Sequence, residues 1–124
     1  MVVRPFHPPP GPYAAGHRGV DLAAVPGAPV LASADGVVVF VGRVVDRSVV
    51  SISHDGGLRT TYEPVEPSVG AGDRVRAGER IGVLVAGHRG CPGAACLHWG
   101  LRREGVYLDP LQALVALRVR LLPL

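Results

Sequence analysis

The sequence predicts an all-β fold, a mostly antiparallel sheet closed by a short C-terminal helix, and three observations carry that prediction. Valine supplies 21 of the 124 residues, and its branched side chain fits a pleated, half-buried surface better than a helix. Glycine and proline together supply 29, enough to reverse the chain every few residues. The apolar runs between those reversals are short. No apolar run is longer than Val37 to Val41, far below the roughly 18 residues that mark a membrane span. A chain of this length makes one domain around one core.

Residues 1–15 read as a proline-rich arm or wrapping segment, because Arg4 to Pro12 holds too many prolines for a helix and too few amides for a central strand. The β domain proper is expected over 16–110. Within it, Pro29 to Ala32, Val37 to Val41 and Ser48 to His54 read as strands, with Asp35-Gly36 turning the chain into the second. Asp55-Gly56-Gly57 invites a hairpin, since glycine supplies the positive φ of a tight reversal, and the return strand covers Leu58 to Glu63. From Val69 to Val85 small residues mark reversals and apolar residues mark brief inward segments. A last strand is expected over Cys96 to Arg102. Asp109 then caps and Pro110 begins a helix toward Leu117, with Leu111, Leu114, Val115 and Leu117 on its packed face, so that 111–124 closes the same domain.

The net charge of +3 comes from thirteen scattered arginines and no lysine, with no aromatic series interleaved, which argues against a nucleic-acid platform. A mildly basic surface suits an anionic polymer such as a bacterial wall equally well. The turn rhythm from Val69 to Val85 also occurs in biotinyl and lipoyl carrier domains, but without a lysine for attachment that function is excluded. Gly56, Gly57, Gly70, Gly72 and Gly78 complete no phosphate loop and are assigned to turns. Cys91 and Cys96 flank Pro92-Gly93, close enough for a loop-closing disulfide in an oxidising compartment; two free thiols in a reducing one is the other reading.

His17 and Asp21 stand four apart and His98 follows much later. Two imidazoles and a carboxylate make a zinc shell with its fourth place open to water or substrate. An ion so held polarises an amide carbonyl and acidifies water, which is the chemistry of metal-assisted hydrolysis. Spacing alone is a weak signal for it.

A set of ordered motifs adds to this reading: Gly16-His17-Arg18-Gly19-Val20-Asp21-Leu22, Ala34-Asp35-Gly36-Val37-Val38, Gly57 to Tyr62, Gly72-Asp73-Arg74-Val75, Gly78-Glu79-Arg80-Ile81-Gly82 and Leu97-His98-Trp99. Together they resemble the lysostaphin-like, or LytM-type, zinc endopeptidases over roughly 16–110. The resemblance implies the family's duplicated hybrid β motif, a groove that accepts peptidoglycan peptides, and Zn2+ on His17, Asp21 and His98. It also implies an extracytoplasmic place, secreted or associated with the cell envelope, and partners in the wall: peptidoglycan peptides or a cell-wall hydrolase. No nucleic acid and no membrane span in this chain are expected.

The sequence departs from the family's active pattern where two histidines handle protons. Pro64 and Cys96 occupy those positions. Residues that compensate must come from nearby, and His54, Glu63 and Tyr62 are the candidates. Strand alternation puts Glu63 opposite to Tyr62 and Pro64, which weakens it as a base; Tyr62 suits a groove wall or a weak electrophile; His54 suits a turn as well as a cleft. His88 is placed near the Cys91–Cys96 loop and His7 in the arm, neither as a ligand. Reduced, Cys96 would face the same side as His98 and close the metal shell as a fourth ligand; oxidised, it would fix the loop. Trp99, facing away from His98, is assigned to the core. The expected function is thus a peptidoglycan metalloendopeptidase-like domain, weakly active or inactive, that acts on or binds wall peptides. The alternative is a non-catalytic module that binds wall or hydrolase, with a structural zinc or none.

Overall fold

The structure, a computed structural model, describes residues 2–7, 19–86, 91 and 93–112. Its strands are β1 (Val2–Arg4), β2 (Val20–Ala24), β3 (Pro29–Leu31), β4 (Gly36–Val44), β5 (Arg47–Ser53), β6 (Leu58–Glu63), β7 (Val65–Pro67), β8 (Arg74–Val75), β9 (Arg80–Leu84), β10 (Ala95–Arg103) and β11 (Val106–Leu108). The larger sheet runs β1-β2-β10-β6-β5-β4-β8 with β11 added on β10, and the smaller runs β3-β9-β7. The pairings are antiparallel. The all-β, mostly antiparallel fold read from the sequence is the observed one, with helical backbone beginning at residues 110–112. The remainder of the expected helix, including Leu114, Val115 and Leu117, lies outside the described residues. Leu111, placed on its packed face, is exposed, and Pro110 is the buried residue there.

The core forms between the two sheets because each strand presents alternate residues to it. In β6, Leu58, Thr60 and Tyr62 are buried while Arg59, Thr61 and Glu63 face outward. Val38, Val50, Ile52 and Tyr62 of the larger sheet meet Val30, Val65, Ile81 and Leu84 of the smaller, and Trp99 packs against the same cluster. Burying a side chain of this size contributes about 1.5–3 kcal/mol each before chain entropy is subtracted. One segment serves both sheets: the chain leaves the larger sheet after Glu63, passes Pro64 and enters the smaller at Val65. Proline has no N–H for a ladder, which suits it to the crossing.

Three local details differ from expectation. The opening residues are not wholly an arm, since Val2 and Arg4 pair with β2. Gly82 does not mark a reversal; it lies inside β9, paired with Val30 and Pro67, where a Cβ would overlap the Glu66 carbonyl and sit 2.5 Å from Val65 Cγ1. Val106–Leu108 adds a strand that the sequence reading passed over. At the far side of the larger sheet, β8 pairs with Gly36 and Val37 of β4, whose own ladder with β5 bulges between Val38 and Phe40.

Candidate metal centre

Antiparallel register sets Asp21, His98 and Glu63 in one row across β2, β10 and β6, because His98 is the Cα partner of both others. Directly opposed residues share a face. Asp21 Oδ1 and His98 Nδ1 are 2.8 Å apart, and the two side chains are 2% and 17% exposed. Asp21 stands in the Gly16 to Leu22 motif and His98 seventy-seven residues on, and the β2–β10 ladder closes that gap. Gly19 makes the closure possible. A Cβ there would fall 2.5 Å from the Trp99 carbonyl oxygen and 2.9 Å from His98 Nε2, so any side chain displaces the imidazole.

A carboxylate oxygen and an imidazole nitrogen, converging in a largely buried place, are donors of the kind zinc takes. On that ground the residues present fit the ion. Two donors do not make a cluster, and among the described residues no group of three or more His, Cys, Asp or Glu side chains is placed to hold a metal. His17, the third expected ligand, lies outside the described residues, as does His88.

Glu63 faces away from Tyr62, as alternation requires, and that is the face of His98. Its side chain is 14% exposed, and Arg47 Nη1 donates to Glu63 Oε1 at 3.2 Å. Arg47 was not legible as a site residue: it opens β5 sixteen residues before Glu63, and only the β5–β6 register, with Val50 opposite Tyr62, brings the two together. Cys96 is fully buried and bonded to Cys91. Its sulfur is thereby committed, so the fourth-ligand alternative does not describe this state. Pro64 is buried at the crossing between sheets.

The other two candidates sit elsewhere. Tyr62 is 1% exposed and belongs to the core rather than to a groove wall. Its hydroxyl accepts the Ser33 N–H at 3.0 Å and lies 2.8 Å from both Ser33 Oγ and Thr60 Oγ1. His54 extends the same network: Nδ1 donates to the Asp35 carbonyl at 2.8 Å, and Nε2 is 2.7 Å from Thr60 Oγ1. His54 N–H bonds the Leu58 carbonyl, five residues along β6 from Glu63 in the His98 row, an offset of about 16 Å along the strand at roughly 3.3 Å per residue. Both side chains therefore fasten the β3–β4 connection to β6. Tyr62→Phe removes the central hydroxyl and leaves buried Thr60 short of a partner. It is expected to cost about 1–3 kcal/mol in urea denaturation while leaving zinc content unchanged.

Comparison with known proteins places this geometry. The model of peptidase family M23 matches residues 15–110. The protein Rv2891 of Mycobacterium tuberculosis is 50% identical over 127 residues, covering 99% of this chain and 51% of that one, so the chain spans about half the length of this curated relative. The DD-carboxypeptidase/endopeptidase Mpg of Neisseria meningitidis serogroup B is 39% identical over 95 residues, 76% of this chain and 22% of that one. The catalytic domain of the antimicrobial peptidase lysostaphin from Staphylococcus simulans superposes with a TM-score of 0.78 at 25% identity, covering 93% and 92% of the two chains. By a family match over most of its length and a shared lysostaphin-like fold, this chain belongs to peptidase family M23.

Proposed function

We propose that this domain works outside the cytoplasm on peptidoglycan peptides, with zinc held by His17, Asp21 and His98, and that it binds those peptides while hydrolysing them slowly or not at all. The observation that carries the reading is a retained donor pair beside two altered positions: Asp21 and His98 meet at 2.8 Å, while Cys96 is locked to Cys91 and Pro64 has no group that can carry a proton. Zinc bound there supplies electrophilic polarisation to a peptide carbonyl. The chain's own contributions are distinct. Asp21 fixes the rotation of the His98 ring, and Glu63 presents a carboxylate on the same row, engaged by Arg47. A proton-handling group is normally worth on the order of 100-fold or more, so two replacements account for weak turnover.

The disulfide supports an oxidising compartment. No helix among the described residues is long and apolar enough to cross a membrane. A second reading, a module that binds wall or a wall hydrolase without cutting, rests on the same replaced positions. Saturable binding of muropeptides with no new termini would favour it.

The test is zinc stoichiometry by plasma mass spectrometry beside muropeptide binding. The parent chain is expected to hold one zinc, and Asp21→Asn to weaken zinc binding by about 100-fold or more, given that losing even an outer partner of a ligand costs about 10- to 100-fold. A parent chain that takes up no zinc and binds no muropeptide would remove the proposal.

A further inference from the structure

The row of Asp21, His98 and Glu63 continues along the same face of β6 and β10. Two residues on, Thr61 opposes Gly100; four residues on, Arg59 opposes Arg102. Tyr107 of β11 is the next partner of Arg102. These residues line a pocket of about 80 Å³. That is room for a planar group of a few atoms, well short of the roughly 300 Å³ that encloses a whole ligand.

Two features make the pocket more than a dimple. Like charges directly opposite each other across an antiparallel pair repel, yet the sheet holds two guanidinium groups in that relation. Among the described residues no carboxylate and no side-chain hydrogen bond engages either of them. Gly100 meanwhile carries no side chain and lines the pocket between the His98 row and the arginine pair. At roughly 3.3 Å per residue the arginine pair lies about 13 Å from that row, a span of about four residues of extended peptide.

The geometry points to a carboxylate subsite: Arg59 and Arg102, with the Thr61 hydroxyl, take a free carboxylate of the peptide whose backbone lies over His98. Guanidinium forks match a carboxylate with paired, charge-assisted hydrogen bonds, and a neutral amide in the same place forfeits them. This inference rests on the peptide-binding reading above and adds to it a preference for an acidic group about four residues from the site.

The experiment is an amide-resolved NMR titration with a muropeptide bearing free carboxylates and with the same muropeptide amidated, on the parent chain and on Arg59→Gln/Arg102→Gln. The expected result is shifts at Thr61, Gly100 and Tyr107 with the acid, binding weaker by about 10-fold or more with the amide, and the same loss in the double variant. Shifts at Asp21 and His98 that are equal for acid and amide, in both proteins, would overturn the subsite and leave peptide binding standing. Acid-dependent shifts at Thr61 and Gly100 with none at His98 would support the subsite and remove the peptidase-like reading. Silence at both places would overturn both. Glycerol phosphate moving the same amides as strongly as the acidic muropeptide would overturn the carboxylate assignment in favour of a phosphodiester polymer.

Discussion

Replacing Pro64 and Cys96 together by histidine, with Cys91→Ala so that no lone thiol remains, is expected to raise muropeptide hydrolysis by about 100-fold or more. The donor pair that such groups would serve is already in place, with Asp21 and His98 at 2.8 Å on a rigid three-strand row. What the parent chain lacks at these two positions is a group able to accept and return a proton. Cys96 lies two residues before His98 in β10, on the same face by alternation, so a histidine there starts within reach of the site. Losing the Cys91–Cys96 link costs little, about 2 kcal/mol for so short a loop. Turnover is read by chromatography of muropeptide digests at full zinc loading. Unchanged turnover in a folded, zinc-loaded variant would overturn the reading that these two positions limit hydrolysis.

Gly82→Ala is expected to destabilise the domain by about 3 kcal/mol or more, at or beyond the upper end of what overpacking usually costs. Gly82 lies in the middle strand of the smaller sheet, and its missing Cβ is the space occupied by the Glu66 carbonyl and Val65 Cγ1. Val65 is fully buried and cannot swing aside. Relief requires β7 to shift, and β7 is joined through Pro64 to Glu63, so the strain reaches the His98 row as well. Urea unfolding measures the loss; a change below about 1 kcal/mol would mean that β7 moves away from β9 more easily than a close-packed interior allows.

How far the sequence could be read depended on whether a feature was local. Leu58 to Glu63 alternates and follows a glycine turn, and β6 has those bounds. The hairpin is likewise real, with Gly56 at φ 78° and Gly57 at φ 74°. Two of three failures are properties of register or of the second sheet, and the third, Tyr62, lay in an alternation local to β6. Arg47 meets Glu63 only once β5 is laid beside β6. Tyr62 looked like a groove residue because its neighbour in sequence belongs to the site, yet period-two alternation sends it into the core. Gly82 looked like a turn because close approach of another backbone leaves the same residue type as a reversal does. Asp21 and His98 are joined in the sequence by donor type and by a resemblance to a family; seventy-seven residues of spacing carry no distance information.

The far side of the larger sheet has a consequence for the behaviour of the domain in concentrated solution. Beyond Val38 the outer edge of β4 meets no described strand, and Val39, Phe40 and Val44 along it are 38–43% exposed. A bare, apolar edge is a template on which a second chain can add itself, the first step of fibril or swapped-dimer growth. Two devices interrupt the template: the bulge between Val38 and Phe40 breaks its repeat, and the Arg43 guanidinium, held by the Asp46 carbonyl, sets a charge beside it. Resistance to self-association is thus vested in one kink and one cation, at the opposite end of the sheet from the β1–β2–β10 strands that carry the Asp21–His98 pair.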